Sequence, residues 1–226
     1  MKLQIAIDGP SGAGKSTIAK ALAKKIGILY VDTGALYRAV GLYVRSRNVD
    51  PHDASAVAAL LPEISLELRY ENGSQQVYLN GTATGDRIRT PEMSMYASAV
   101  SAIPAVRTFL LDTQREIAAQ NGVVMDGRDI GTVILPNANV KIYLTASDEC
   151  RAKRRFLELR EKGLETTYEE VLADMQRRDH NDSTRTVAPA VAAPDAVTVD
   201  SSDLSIEECV ARIEEIVAEK LGSRSK

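Results

Sequence analysis

The segment GPSGAGKS at residues 9–16 constrains this chain most, because it lies between a short apolar run and a helical pattern. Gly9 and Gly14 permit a tight turn in which successive backbone amides converge on an anion. The helix that follows adds the positive end of its dipole. The apolar run at 3–7 is too short for a helix and fits a strand buried on both faces of a parallel sheet. The sequence therefore predicts a phosphate-binding loop (P-loop) in an α/β fold.

Each fixed position of this motif has a chemical role. Lys15 is expected to reach the β and γ phosphates of a nucleotide, and the Ser16 hydroxyl to bind Mg²⁺. The next residues place Ile18, Leu22 and Ile26 on one helical face, as a helix packed on a sheet requires. We expect ATP to contact the whole loop, which consists of Gly9, Pro10, Ser11, Gly12, Ala13, Gly14, Lys15, Ser16 and Thr17.

A P-loop alone is compatible with a switch, a motor or a kinase. The guanine-reading NKxD pattern of a GTPase does not occur in the sequence, and 226 residues are few for a large motor. A small kinase with a second substrate remains, and ATP with Mg²⁺ is its expected donor.

Composition limits the partners and the compartment. The net charge is −3, which argues against a strongly basic surface for nucleic acid or membranes. Cys150 and Cys209 lie far apart without metal-ligand spacing, so we expect buried thiols in a reducing compartment. No apolar stretch approaches the roughly 18 residues of a membrane span. A soluble, cytoplasmic monomer is expected.

Further apolar runs at 28–31, 123–125, 140–144 and 196–199 predict the other strands of a parallel sheet, since helical patterns separate several of them. Helix starts are predicted at the Thr90–Pro91 pair, at Pro104, and at capping boxes that begin with Thr167 and Ser205.

Residues 64–84 break this pattern. They alternate between apolar and polar residues and carry two Asn-Gly turn signals, at 72–73 and 80–81. This segment is predicted to be a small antiparallel insert, whereas residues 186–195 are predicted to cross the surface toward the last strand.

Two segments at predicted strand ends are candidates for the second substrate site. VDTGALYR at 31–38 carries Thr33, Tyr37 and Arg38, at the edge where open α/β sheets bind ligands. A half-buried Tyr–Arg pair on a helix would explain the last two equally well.

VVMDGRDIGTV at 123–133 places Asp126 as a metal-side carboxylate, which is expected to act through water, and Arg128 and Asp129 follow it. Simple pairing between Arg128 and Asp129 is the alternative explanation.

Arg151, Arg154 and Arg155 recur at helical spacing in the charged segment 150–163. Like charges at this spacing repel unless an anion or carboxylate meets them. A solvated face balanced by Glu is one explanation, and a lid over the triphosphate, spanning 148–185, is the one we favour.

The motifs GPSGAGKST, DTGALYR, DGRDIGT and RRDHNDSTRTVAP, in this order, resemble those of bacterial cytidylate kinases of the nucleoside monophosphate kinase superfamily. The resemblance runs nearly end to end and includes the antiparallel insert. It implies a three-layer α/β fold with a five-stranded parallel sheet flanked by helices, the insert and a helical lid. The core would comprise 1–32, 85–147 and 186–226 of a single unit, with a CMP-binding part at 33–84.

The same resemblance implies phosphoryl transfer from ATP to CMP or dCMP in pyrimidine metabolism. Lys15, Arg128, Arg151, Arg154 and Arg155 would be catalytic. Thr33 stands where many members carry Ser, and the HNDST segment at 180–184 lacks charges that some members have. The residues implied to bind CMP are Thr33, Tyr37, Arg38, Ser98, Arg107, Arg128, Asp129, Arg178, Asp182 and Arg185.

Two alternatives remain open at this point. The first is a kinase for another small acceptor, such as UMP, AMP or shikimate. The second is a switch or assembly ATPase that binds a nucleotide and changes shape. Formation of a nucleoside diphosphate from CMP and ATP would separate them.

Overall fold

The computed structural model describes residues 2–71 and 74–222, in which strands and helices alternate. The strands are β1 (Gln4–Asp8), β2 (Leu29–Asp32), β3 (Leu66–Glu71), β4 (Ser74–Leu79), β5 (Thr82–Ala83), β6 (Val123–Asp126), β7 (Val140–Thr145) and β8 (Val197–Asp200). The α-helices are α1 (Lys15–Ile26), α2 (Thr33–Ser46), α3 (Ala54–Leu60), α4 (Pro91–Ser101), α5 (Pro104–Gln120), α6 (Asp148–Glu161), α7 (Tyr168–Thr184) and α8 (Ile206–Gly222). Short 3₁₀ turns cover Leu61–Glu63 and Gly85–Ile88, and a π-helical turn covers Ile130–Ile134.

The larger sheet has five strands in the order β2-β6-β1-β7-β8. The central strand β1 runs parallel to β6 on one side and to β7 on the other, and β7 runs parallel to β8. Ile5 and Ile7 of β1 are fully buried, as a strand covered on both faces should be. The predicted parallel sheet and its apolar runs are therefore confirmed.

The described chain forms two compact units, and the division falls inside β2 and α5. The first unit contains Met1–Tyr30 and Ala118–Lys226. Its core packs α1 and α8 against the sheet through Leu22, Ile142 and Ile213. The predicted boundaries between core, CMP-binding part and lid stay predictions.

The second unit is Val31–Ile117. Its core gathers α2, α3, α4 and the insert around buried residues such as Leu36, Val57 and Val100. The insert is an antiparallel sheet in the order β3-β4-β5, as predicted. Asn80 and Gly81 form its second turn with positive φ values of 49° and 76°. The Asn72–Gly73 turn lies outside the described residues.

The predicted helix starts are confirmed by their caps. The Thr90 side chain accepts the amide hydrogen of Met93 at the start of α4. Thr167 and Glu170 form a complete capping box, and so do Ser205 and Glu208 through reciprocal bonds of 3.2 and 2.9 Å. Local sequence signals therefore decide where these helices begin.

One burial prediction is wrong in part. Cys209 is buried, but Cys150 is only half-buried because it lies in the first turn of α6, where its thiol contacts the Ser202 carbonyl. Across the described ranges, no single helix is both long and apolar enough to cross a membrane. The pair α4 and α5 meets this test only when taken together, with a bend of 100°.

The packing of α8 gives a stability prediction. Ile213→Ala should lower the free energy of unfolding by about 2–5 kcal/mol, because Ile213 is fully buried in the core of the first unit and its loss leaves a cavity. Ile206→Ala, at an exposed position of the same helix, should change it by less than about 0.5 kcal/mol. Urea unfolding measures both, and equal effects would contradict this account of the core.

Candidate functional site

The phosphate loop leaves β1 at Gly9 and lies directly against β7. Gly9 has φ = 147°, and a Cβ there would lie 1.9 Å from the Leu144 carbonyl oxygen. Any other residue would have to push two central strands apart. The contact explains why a glycine follows the strand at this point.

Lys15 is buried at the start of α1, and its Nζ donates to the Pro10 carbonyl over 2.6 Å. Burial holds the pKa of Lys15 well below its usual value, and the positive charge of Arg128 lowers it further. Arg178 acts in the same direction, whereas Asp126 and Asp8 oppose it. Two arginines and two carboxylates therefore surround a buried amine, whose charged form a further negative group would stabilise.

Two oxygen-bearing side chains suited to Mg²⁺ lie in contact beside the phosphate loop. The Ser16 hydroxyl donates to Asp126 Oδ2 over 2.8 Å, which joins α1 to the end of β6. Hydroxyl and carboxylate oxygens are ligands that Mg²⁺ accepts alongside nucleotide phosphates and water. Within residues 2–71 and 74–222, no cluster of three or more His, Cys, Asp or Glu could hold a metal ion. The Ser16–Asp126 pair fits a metal that also binds nucleotide phosphates and water, because it supplies two oxygen atoms beside the phosphate loop.

Asp8, at the end of β1, is a buried carboxylate that the sequence interpretation missed. Its Oδ1 and Oδ2 accept the backbone amide hydrogens of Ile130 and Gly131 over 2.8 and 2.7 Å. Burial raises the pKa of Asp8 to about 6, although these two amides lower it. The carboxylate thus fixes the segment after β6 to the strand that precedes the phosphate loop.

The π-helical turn that follows β6 orients Asp129. The Asp129 carbonyl accepts amide hydrogens from Val133 and Ile134, at 2.9 and 3.2 Å. This wide turn has no sequence pattern of its own, and π-turns are frequent at functional sites. Asp129 is buried there, and its Oδ1 lies 3.7 Å from Arg185 Nη2.

Asp182 of α7 is surrounded by three arginines. Its carboxylate accepts from Arg128 Nε over 3.1 Å, and Arg178 and Arg185 lie 3.9 and 4.0 Å away. Burial raises the pKa of Asp182, but the three positive charges outweigh it and leave the pKa below its usual value. Arg128 therefore pairs with Asp182, and the suggested simple Arg128–Asp129 pair is not the arrangement found.

The second unit gathers other predicted residues around α2. The Arg107 guanidinium lies over the Tyr37 ring, 5.6 Å from its centroid, and donates to the Ser101 carbonyl. Arg38 pairs with Asp32 over 2.8 Å. Thr33 is buried at the first turn of α2, and Ser98 is half-buried on α4.

The Arg151 side chain lies against the phosphate loop and is buried. Its Nη1 donates to the Ser11 carbonyl over 2.7 Å and to Asp179, and its Nε donates to the Ala146 carbonyl. The Ser11 amide hydrogen in turn bonds Asp179 Oδ1 over 3.1 Å. Helices α6 and α7 therefore hold both backbone groups of Ser11.

Arg154 and Arg155 have different partners. Arg154 donates to the Ser201 carbonyl over 2.6 Å, whereas Arg155 pairs with the partly exposed Glu158 over 2.8 Å. The Arg155–Glu158 pair is the charge-balanced face weighed as an alternative from the sequence. A role of these arginines toward triphosphate stays a prediction.

Sequence reasoning did not assign a role to Asp8 or Asp179. The position of Asp8 directly before the phosphate loop was a usable signal, since strand ends carry ligand-binding groups. No local pattern pointed to Asp179, because its partner Ser11 lies 168 residues away.

The buried carboxylate gives a pH prediction. A carboxyl whose folded pKa is raised contributes stability that is present at low pH and lost as pH rises through that pKa. With a folded pKa of about 6 and a usual value of 3.8, Asp8 should make the protein lose about 1.3 kcal/mol between pH 5 and 7. Asp8→Asn should remove that loss.

Urea unfolding at both pH values measures this difference. The exposed Asp203→Asn is the control and should follow the wild type. If the stability gap between Asp8→Asn and wild type is the same at pH 5 and 7, this account of Asp8 is wrong.

Comparison with known proteins agrees with this geometry. A family model described as Cytidylate kinase matches residues 5–219. The chain is 51% identical over 215 residues to a cytidylate kinase of Caldicellulosiruptor bescii, covering 95% of each chain. It is 50% identical over 220 residues to a cytidylate kinase of Fervidobacterium nodosum, covering 97% of this chain and 98% of that one.

A solved structure shows the same fold at low sequence identity. The crystal structure of an uncharacterized protein from Eubacterium ventriosum superposes with a TM-score of 0.53 at 14% identity, covering 97% of this chain and 99% of that one. The full-length family match and the identity near one half decide the classification. The chain belongs to the cytidylate kinase family.

Proposed function

We propose that this protein transfers the γ-phosphate of ATP to CMP or dCMP, producing ADP and CDP or dCDP. The observation that carries the proposal is the phosphate loop whose buried Lys15 lies within the influence of Arg128 and Arg178. Relatives sharing about half of the residues are named cytidylate kinases. A site built to neutralise phosphate oxygens, in a chain of this family, supports a nucleotide acceptor.

The donor binds at the loop of residues 9–17. Its backbone amides and the α1 N-terminus hold the phosphates, while Lys15 contacts the β and γ oxygens. The proposed change at Lys15 is an exchange of the Pro10 carbonyl for phosphate oxygen. A negative phosphate stabilises the charged amine and so raises the depressed pKa of Lys15.

Acceptor contacts in the first unit are Arg128, Asp129, Arg178, Asp182 and Arg185. Arg128 is proposed to contact the CMP phosphate. Asp182 holds its Nε, and the two terminal nitrogens of the guanidinium are further hydrogen-bond donors. Asp129 accepts from the cytosine amino group, while Arg178 and Asp182 serve the sugar. The ion pairs among these residues keep their orientation before substrate arrives.

Acceptor contacts in the second unit are Thr33, Tyr37, Arg38, Ser98 and Arg107. Arg107 is held over the Tyr37 ring, and Arg38 is held by Asp32. Fixed guanidinium groups bind phosphate oxygens with little further loss of side-chain entropy.

Transfer itself needs no strong general base. A phosphate monoester with a second pKa of about 6 is already largely ionised at neutral pH, so its oxygen attacks the γ-phosphorus directly. The bond from that phosphorus to the β-bridging oxygen breaks, and ADP leaves. The contribution of the chain is alignment of the two phosphates and neutralisation of their charge.

Among the three arginines of α6, Arg155 is the one we propose to reach the transferring group. Arg151 would have to give up bonds to Ser11 and Asp179, and Arg154 its bond to Ser201. Arg155 would exchange only a partly exposed pair with Glu158, which is worth a few tenths of a kcal/mol. Arg151 and Arg154 then support the lid and the loop.

When bound, Mg²⁺ neutralises charge on the β and γ phosphate oxygens. The Ser16 hydroxyl would hold it directly, and Asp126 would hold its water ligands. We place the enzyme in the cytoplasm as a monomer that acts on small nucleotides, with neither nucleic acid nor a membrane as partner. The net charge of −3 argues against a nucleic-acid or membrane partner.

An acceptor panel tests this function. With ATP and Mg²⁺, CMP and dCMP should yield nucleoside diphosphate at higher kcat/KM than UMP, AMP or shikimate. Lys15→Ala should reduce transfer at least 100-fold, because the charge on the β and γ oxygens loses its protein partner. Preference for another acceptor, or ATP binding without transfer to any of them, would refute the proposal.

Base selection gives a narrower prediction. Asp129→Asn should raise kcat/KM for UMP relative to CMP about tenfold, because an amide can donate to the uracil carbonyl whereas a carboxylate cannot. KM for ATP should change much less. The exposed Asp203→Asn is the matched control. An unchanged CMP-to-UMP ratio in Asp129→Asn would remove Asp129 from base recognition.

A further inference from the structure

Gln75 of β4, in the antiparallel insert, contacts the end of β2. Its Oε1 accepts the Asp32 amide hydrogen over 2.9 Å, and its Nε2 donates to the Asp32 carbonyl over 3.2 Å. The side-chain amide thus bonds both backbone groups of one residue, as a neighbouring peptide would. All of these atoms lie in the second unit. The insert therefore fixes the backbone where β2 becomes α2.

The Asp32 carboxylate links the backbone held by Gln75 to the start of α2 and to Arg38. Its Oδ1 accepts the Ala35 amide hydrogen over 2.9 Å and so caps α2, while its Oδ2 accepts from Arg38 Nη2 over 2.8 Å. Gly34 leaves room for this ring of contacts, because a Cβ there would lie 3.0 Å from Arg38 Nη1. The direction of the Arg38 guanidinium thus depends on the Asp32 backbone that Gln75 holds.

The Arg38 guanidinium also has a buried donor, Nε, that Asp32 does not satisfy. Within the described part of the chain, its buried Nε has no hydrogen-bond partner. A buried donor without a partner costs about 1–3 kcal/mol, and more for a charged group. An oxygen of a bound phosphate would satisfy it, since guanidinium groups bind phosphate through adjacent nitrogens. Arg38 is thus held by Asp32 at Nη2, while its buried Nε is left unsatisfied.

We propose that Gln75 and Asp32 are positioning residues that set Arg38 for the phosphate of the acceptor nucleotide. The proposal rests on the proposed function, because it assumes that this phosphate belongs to CMP. It gives the insert a specific task in acceptor binding: holding one guanidinium at a fixed angle. Neither residue need touch the nucleotide.

Gln75→Ala tests the relay. It should raise KM for CMP about five- to tenfold, the value of one or two net hydrogen bonds, with KM for ATP changed less than about twofold. Calorimetric binding of CMP without ATP should weaken by the same factor. The matched control is Gln76→Ala, the same residue type on the opposite face of β4.

A second substitution keeps the test valid if Gln75→Ala lowers stability. Asp32→Asn retains a side chain that caps α2 well but removes the charge that holds Arg38. It should also raise KM for CMP and not KM for ATP. Thermal unfolding of each variant shows whether the fold is intact.

A double-mutant cycle separates positioning from a merely structural role. In an Arg38→Ala background, Gln75→Ala should produce no further rise in KM for CMP, because the group it positions is gone. A structural defect would add its full effect in both backgrounds.

The outcomes are distinguishable. Wild-type protein that forms no CDP refutes the proposed function. Active wild type in which Gln75→Ala leaves KM for CMP unchanged, raises both KM values equally, or adds fully to Arg38→Ala refutes the relay alone.

Discussion

A buried carboxylate at the end of the central strand holds the first unit's phosphate-binding edge together. Asp8 has lost nearly all contact with water, and burial outweighs its two amide hydrogen bonds enough to raise its pKa to about 6. The Ile130 and Gly131 amides would be buried without a partner if the carboxylate were absent. The protein therefore keeps an unfavourable charge because it fixes the segment that carries Arg128 and Asp129.

At the same edge, several cations crowd around one carboxylate. Three arginines approach the carboxylate of Asp182 within 4.0 Å, and Lys15 is influenced by two of them. Crowded cations raise the free energy of the folded state, and burial intensifies their repulsion. Such a cost is reduced when a multiply charged anion binds.

Most of the fold followed from local signals. Apolar runs identified the strands, and Thr or Ser before Glu identified helix starts, because both depend on neighbours within a few residues. The phosphate loop was identified from a local motif in the same way, whereas the roles of Lys15, Ser16 and Asp126 toward a nucleotide and Mg²⁺ stay predictions. Resemblance to a family supplied the acceptor residues, whose roles remain proposals.

Contacts between distant segments could not be predicted from the sequence. Gln75 and Asp32 are 43 residues apart, and Asp8 and Ile130 are 122 residues apart. Gln75, Asp32 and Asp8 are ordinary polar residues by local pattern, and only the packing of strands brings their partners near. The π-turn at Ile130–Ile134 belongs to the same class, because the carboxylate that bonds its first two amides comes from a strand more than 100 residues away.

The Ser11 amide of the phosphate loop bonds a negatively charged group of the protein itself. Asp179 Oδ1 accepts its hydrogen, and Arg151 bonds both Asp179 and the Ser11 carbonyl. A carboxylate is the nearest protein equivalent of a phosphate oxygen, so the loop amide is already oriented toward an anion. Arg151 pairs with Asp179 and so balances the negative charge that lies against this amide. The contacts from α6 and α7 therefore fix the backbone of the loop at Ser11.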